Sequence, residues 1–108
     1  MIGVGNLFAN IPGEIPEEIA EEIFRKQDIR IERIVSRGHS SPQGFWYDQE
    51  TDEWVVLVSG SATLRFSDGR QIDLAPGDYL FIPRHVLHRV ERTDPERDTV
   101  WLALHFAG

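Results

Sequence analysis

The chain has 108 residues, of which 41% are hydrophobic and 10% aromatic, so we predict one globular domain spanning residues 1–108, which excludes extensive disorder. The formal net charge of −7 argues against nucleic acid as a partner, because phosphate binding requires a basic surface. The chain has no cysteine, no targeting segment and no apolar run of membrane-spanning length, so we expect a cytoplasmic protein without disulfides or membrane contact.

The first thirty residues differ in pattern from the rest. Ile15, Ile19 and Ile23 recur every four residues, which is typical of an amphipathic helix. Pro16 suits a first helical turn, and the surrounding glutamates favour the positive end of a helix. We therefore predict a short helix over residues 15–25 that packs outside the remainder of the domain. A helix that binds a partner is the alternative interpretation.

From residue 29 onward the hydrophobic period changes to two. Ile29 and Ile31 alternate with charged residues, while the adjacent Ile34 and Val35 break the phase and predict a bulge. Similar alternation recurs at 62–66, 71–74 and 79–82 and continues through the last twenty residues, with polar turns between the segments. About seven short strands with this spacing predict an all-β sandwich or barrel over roughly residues 29–106.

Two segments carry a more specific signal. In the first, Glu53 opens an apolar strand that ends at Gly60. In the second, Gly77 leads through an apolar strand and Pro83 to His88. These segments resemble the two sequence motifs of the cupin superfamily. The resemblance implies a cupin-type double-stranded β-helix, a jelly-roll barrel that often holds a metal between a glutamate and several histidines.

The resemblance also implies a ligand set, and the chain departs from it. Glu53 and His88 occupy ligand positions of the family, but the two histidine positions of the first motif hold Trp46 and Asp48. Asp48 is an oxygen donor that could still bind a metal. Carboxylate and imidazole ligands suit Zn, Fe, Mn or Ni without distinguishing among them, so the expected cofactor is a divalent transition metal of unspecified identity.

Two further histidines, His39 and His85, are candidates for the missing imidazole. Trp46 and its neighbour Tyr47 are expected to line the entrance of the barrel or to fill it. His105 lies in a segment that is apolar on both faces, so a structural role is expected for it.

Simpler interpretations remain open for the two central residues. Glu53 could be an exposed carboxylate at the start of a strand, because charged residues are common at strand ends. His88 shares its face with Val90 and is expected to point inward, where a histidine is often only a hydrogen-bonded core residue.

Two classes of function follow. One is a metal-dependent enzyme, an oxidase, dioxygenase or isomerase, that acts on a small polar metabolite. The other is a non-catalytic module that binds or senses a small ligand without metal; a purely structural dimer is a third possibility. We also expect a homodimer, because residues 100–106 are apolar on both faces and Trp54 lies opposite Glu53.

Overall fold

A computed structural model describes residues 2–108 and contains eight β-strands. In chain order they are β1 (Ile19–Lys26), β2 (Ile29–Ser36), β3 (Asp52–Ser59), β4 (Ala62–Phe66), β5 (Gln71–Leu74), β6 (Tyr79–Ile82), β7 (His88–Thr93) and β8 (Thr99–Phe106). The predicted all-β class is therefore confirmed.

The strands form two sheets that enclose the hydrophobic core. A five-stranded sheet has the order β1-β2-β8-β3-β6, and a three-stranded sheet has the order β5-β4-β7. All pairings are antiparallel. The core joins Leu57 and Trp101 of the larger sheet to Leu64, Phe66 and Leu74 of the smaller one. Alternate residues of each strand thus point into the barrel, as the period-two pattern predicts.

The predicted helix over residues 15–25 is wrong. Most of that segment forms β1, which pairs with β2 through a tight turn in which Gln27 has a φ of 52°. A spacing of four also keeps residues on one face of a strand, and the intervening Glu21 forms an ion pair with the buried Arg33 of β2. An isolated helix of this length is marginal in water, so pairing with the sheet outweighs local helix propensity.

The bulge predicted at Ile34 and Val35 is also absent, since β2 pairs with β8 without a register shift. Both residues are accommodated because both faces of the sheet are covered at this point. Ile34 faces the barrel interior, whereas Val35 packs with Val100 and Ile15 beneath the N-terminal segment. A bulge does occur in the neighbouring strand, between Glu22 and Phe24 of β1.

Gly60, the glycine of the first motif, is required by close packing. It has a φ of +84°, and a Cβ atom at this position would lie 2.6 Å from Thr99 Cα. Only glycine allows β3 to turn toward β4 against the start of β8. Within residues 2–108 the structure contains no helix long and apolar enough to cross a membrane.

Candidate functional site

A cavity of about 130 Å³ lies inside the barrel between the two sheets. Its walls combine apolar side chains such as Val55 and Leu64 with a small set of polar ones. The central polar residues are Glu32, Tyr47, Glu53, His88 and His105. A concave, mainly apolar cavity with a few convergent polar groups is the usual form of a small-molecule site.

Glu53 is a buried carboxylate with an unusual environment. It is the second residue of β3, pairs with His105 of β8, and shares the inward face with Val55. Its side chain is buried, with the residue 6% exposed, and Oε1 has no hydrogen-bond partner. Burial, together with the nearby carboxylate of Glu32, raises the pKa of Glu53 from 4.5 to about 7. Glu53 therefore titrates near neutral pH.

His88 begins β7 and is held in one orientation. Its Nδ1 lies 2.9 Å from the carbonyl oxygen of Val86, which can only accept, so Nδ1 carries the proton. Nε2 is left with its lone pair, and the ring stacks on Tyr47 with centroids 5.4 Å apart. Burial lowers the pKa of His88, and the hydrogen bond to Val86 only partly opposes this effect. The imidazole is therefore neutral at pH 7.

These two side chains approach each other in the cavity. His88 Nε2 lies 3.8 Å from Glu53 Oε1, too far for a direct hydrogen bond. A carboxyl group with a raised pKa and a neutral imidazole with a lowered pKa form an acid and base pair whose proton affinities have converged. The gap between them leaves both atoms accessible to a ligand.

His105 lies on the same cavity wall, which differs from its expected structural role. Its Nε2 is 2.9 Å from Glu32 Oε1, and burial lowers its pKa although Glu32 opposes the shift. The signal in the sequence was the alternation of Trp101, Ala103 and His105, which places all three on the inner face of β8. Apolar residues on the outer face obscured that parity.

Three buried polar atoms around the cavity have no hydrogen-bond partner. They are Glu53 Oε1, His105 Nδ1 and Trp101 Nε1, and the residues are only 6%, 3% and 4% exposed. Buried polar groups normally find partners, because leaving one unsatisfied costs about 1–3 kcal/mol. Three such atoms lining one cavity indicate a site for a polar ligand.

The other predicted ligands lie elsewhere. Asp48 and His85 form an exposed pair, with His85 Nδ1 2.7 Å from Asp48 Oδ1, and neither lines the cavity. His39 Nδ1 accepts a hydrogen bond of 2.8 Å from the backbone N–H of Arg37. Of the predicted pocket residues, Tyr47 lines the cavity and Trp46 does not. The structure thus brings together only Glu53 and His88 of the five predicted metal ligands.

The donor atoms in the cavity do not match a conventional metal centre. Catalytic transition-metal sites normally provide at least three protein ligands. Across residues 2–108 no group of three or more histidine, aspartate or glutamate side chains is arranged to hold a metal ion. Glu53 Oε1 and His88 Nε2 supply two donors, while His105 Nε2 is engaged with Glu32. We therefore derive no chemical step through a metal.

The fold and the cavity define a class of protein, a small β-barrel with an interior acid–base site. The Cupin domain family matches residues 34–105 of the chain, from β2 to the end of the cavity wall in β8. The chain belongs to the cupin superfamily, as its motifs indicated. No protein with a curated description matches it.

Solved structures support this assignment. A Ralstonia eutropha JMP134 protein, provisionally named a mannose-6-phosphate isomerase, shares 44% identity with a TM-score of 0.93, covering 99% of this chain and 100% of its own. Proteins from Thermus thermophilus (16% identity, TM-score 0.78, 97% of each chain) and Neisseria meningitidis (20%, 0.71, 96% and 99%) share the fold.

Proposed function

We propose that the barrel cavity binds a small polar metabolite and that Glu53 and His88 move protons on it, as in an isomerase. One observation carries the proposal: Glu53 Oε1 is buried and unpartnered, and it lies 3.8 Å from the free Nε2 of His88. An acid and a base at this separation can act on two neighbouring atoms of one ligand.

The protonation states suit the interconversion of an aldose and a ketose. With a pKa of about 7, close to half of Glu53 is a carboxylic acid at pH 7, whereas His88 presents a lone pair at Nε2. His88 would remove the proton from the carbon beside the carbonyl while Glu53 protonates the carbonyl oxygen, which gives an enediol. His88 then returns its proton to the former carbonyl carbon and Glu53 takes the proton of the adjacent hydroxyl, so both residues regain their starting states.

The Ralstonia eutropha relative supports this reaction class. Its provisional name describes an isomerase, and it resembles this chain over almost the whole length of both proteins. Fold similarity alone would carry no such argument, because one barrel hosts many activities. The support here comes from the agreement between that name and the acid–base pair in the cavity.

Proton exchange in D2O tests the proposal directly. We expect the protein to exchange the C2 proton of an aldose, with D-mannose and D-mannose 6-phosphate as the first probes, and proton NMR to follow the loss of the C2–H signal. Glu53→Gln should lower the rate by about 10²-fold or more, since general acid–base catalysis contributes roughly 10²–10⁴-fold. His85→Ala is the control, because that exposed histidine does not line the cavity.

A full exchange rate in Glu53→Gln would contradict the assignment of the acid. Binding of a probe without exchange in the wild type would favour the alternative, a non-catalytic binding or sensing module.

A divalent metal remains the second candidate for the cavity, and the free Nε2 of His88 beside Glu53 favours it. The ligand or solvent would have to supply the remaining donors. Elemental analysis of protein purified without chelator distinguishes the two cases. Stoichiometric Zn, Fe, Mn or Ni that disappears in His88→Ala would favour the metal-dependent enzyme. Activity in metal-free protein would favour direct proton transfer.

We also propose a homodimer, formed through the outer face of the five-stranded sheet. Tyr79 and Phe81 on the edge strand β6 are 66% and 56% exposed, and Trp54 lies beside them. The adjoining outward positions of β8, Leu102 and Leu104, are also apolar. The patch carries no charge in a chain of net charge −7, so a second copy can cover it without bringing like charges together.

A further inference from the structure

The cavity is bordered by acidic side chains and by no basic one. Glu18, Glu32 and Glu53 line it, whereas no lysine or arginine does. Glu18 is held in place by a hydrogen bond of 2.5 Å from Ser36 Oγ. A phosphate or carboxylate group entering this space would face carboxylates without a cationic partner, and such like-charge contact is strongly unfavourable.

The unpartnered atoms differ in hydrogen-bonding type. Trp101 Nε1 can only donate, while Glu53 in its carboxylate form and His88 Nε2 can only accept. An ammonium group has donors alone and would leave Trp101 unpaired, and a phosphate has almost only acceptors. A hydroxyl group both donates and accepts, so neighbouring hydroxyls can satisfy the whole set.

We infer that the cavity selects an uncharged polyhydroxy compound, such as a free sugar, over its phosphate ester or its amine derivative. The inference rests on the proposed function for the identity of the site, and it adds the charge class of the ligand. The size is consistent: an enclosed cavity of about 150 Å³ holds a benzene molecule, so the space of about 130 Å³ suits a compact group of this kind. The relative's provisional name mentions a phosphorylated sugar, so this chain would differ from that description.

Three matched probes test the inference, namely D-mannose, D-mannose 6-phosphate and D-mannosamine. The readout is the indole N–H resonance of Trp101 in a proton–nitrogen NMR spectrum, assigned by its disappearance in Trp101→Phe. The chain has three tryptophans, so the other two provide internal controls. We expect D-mannose to shift the Trp101 resonance and to bind at least about tenfold more tightly than either charged probe.

Equal or tighter binding of D-mannose 6-phosphate or D-mannosamine would overturn the inference without affecting the proposed proton transfer. Absence of any Trp101 shift with D-mannose would also overturn it, and the proton exchange experiment would then decide the proposed function separately. Binding of D-mannose without exchange would leave the inference intact and refute the proposed reaction.

A charge-neutralising variant provides a second measurement. Glu18→Gln keeps an oxygen that can accept from Ser36 but removes a carboxylate from the cavity wall. Coulomb's law across about 6 Å of water predicts roughly threefold tighter binding of D-mannose 6-phosphate relative to D-mannose. Glu17→Gln, a neighbouring exposed residue that does not line the cavity, is the matched control. An unchanged ratio in Glu18→Gln, or an equal change in Glu17→Gln, would contradict the role of the acidic wall.

Discussion

Replacing Glu53 with glutamine should stabilise the protein, and the gain should depend on pH. Glutamine has nearly the shape of a protonated glutamate, so the variant keeps the packing of the neutral acid and removes its ionisation. The pKa of Glu53 rises from 4.5 to about 7 on folding, chiefly through burial. The folded state therefore holds this proton more tightly than the unfolded chain does.

The sign and size follow from proton linkage. Below about pH 4.5 the acid is protonated in both states, so it contributes no pH-dependent penalty. Between pH 4.5 and about 7 the unfolded chain ionises first, and the folded state loses relative stability as the pH rises. Above that range the penalty is complete at about 3 kcal/mol, because one pH unit corresponds to about 1.4 kcal/mol. This is a large share of the roughly 5–15 kcal/mol that stabilises a typical domain.

Urea denaturation followed by circular dichroism measures the effect at pH 4, 6 and 8. We expect Glu53→Gln and the wild type to have similar free energies of unfolding at pH 4, and the variant to be more stable by about 2–3 kcal/mol at pH 8. Taking the difference between variant and wild type cancels the titration of the other groups. Glu17→Gln, at an exposed position, should show no such trend. A difference that does not change with pH, or one that favours the wild type at pH 8, would refute the reasoning.

Three further predictions concern other parts of the molecule. Gly60→Ala should destabilise the fold by more than about 2 kcal/mol in the same assay, because a Cβ would lie 2.6 Å from Thr99 Cα at a left-handed φ; a loss below about 0.5 kcal/mol would contradict this packing. Phe81→Glu should convert the proposed homodimer to a monomer in analytical ultracentrifugation, whereas Phe8→Glu, an exposed apolar residue in the N-terminal segment, should not; a monomeric wild type at micromolar concentration would remove the proposal. Asp48→Ala should leave stability within about 0.5 kcal/mol and proton exchange unchanged, because its pair with His85 is exposed; a large loss of activity would show that this pair belongs to the site.

The strands that carry the two motifs were largely predictable from the sequence. The strand from Glu53 and the strand at Tyr79–Ile82 occur where the alternation and the turns placed them. Both lie on the inner part of the sheet pairing, where a hydrophobic face specifies the register. The inward position of Glu53 and His88 followed from the same parity.

Features that depend on distant pairing were not predictable. Residues 19–26 carry a helix-compatible pattern, and only β2 decides that they form a strand. The approach of Glu32 to His105 joins residues 73 positions apart. Asp48 and His85 lie outside the strands, so no alternation fixed their direction, and they turned toward each other at the surface.

The choice of residue at position 53 bears on the function of the cavity. A purely structural side chain at this place could be glutamine, which would fill the same space without the ionisation penalty of about 3 kcal/mol. Burial alone therefore gives no reason for a carboxyl group whose pKa lies at about 7. A group that can both give and take a proton at neutral pH does give one, because proton transfer is most efficient when the pKa of the catalytic group is near the working pH. The pairing of this carboxyl with the free Nε2 of His88 supplies the second proton acceptor that such a reaction needs.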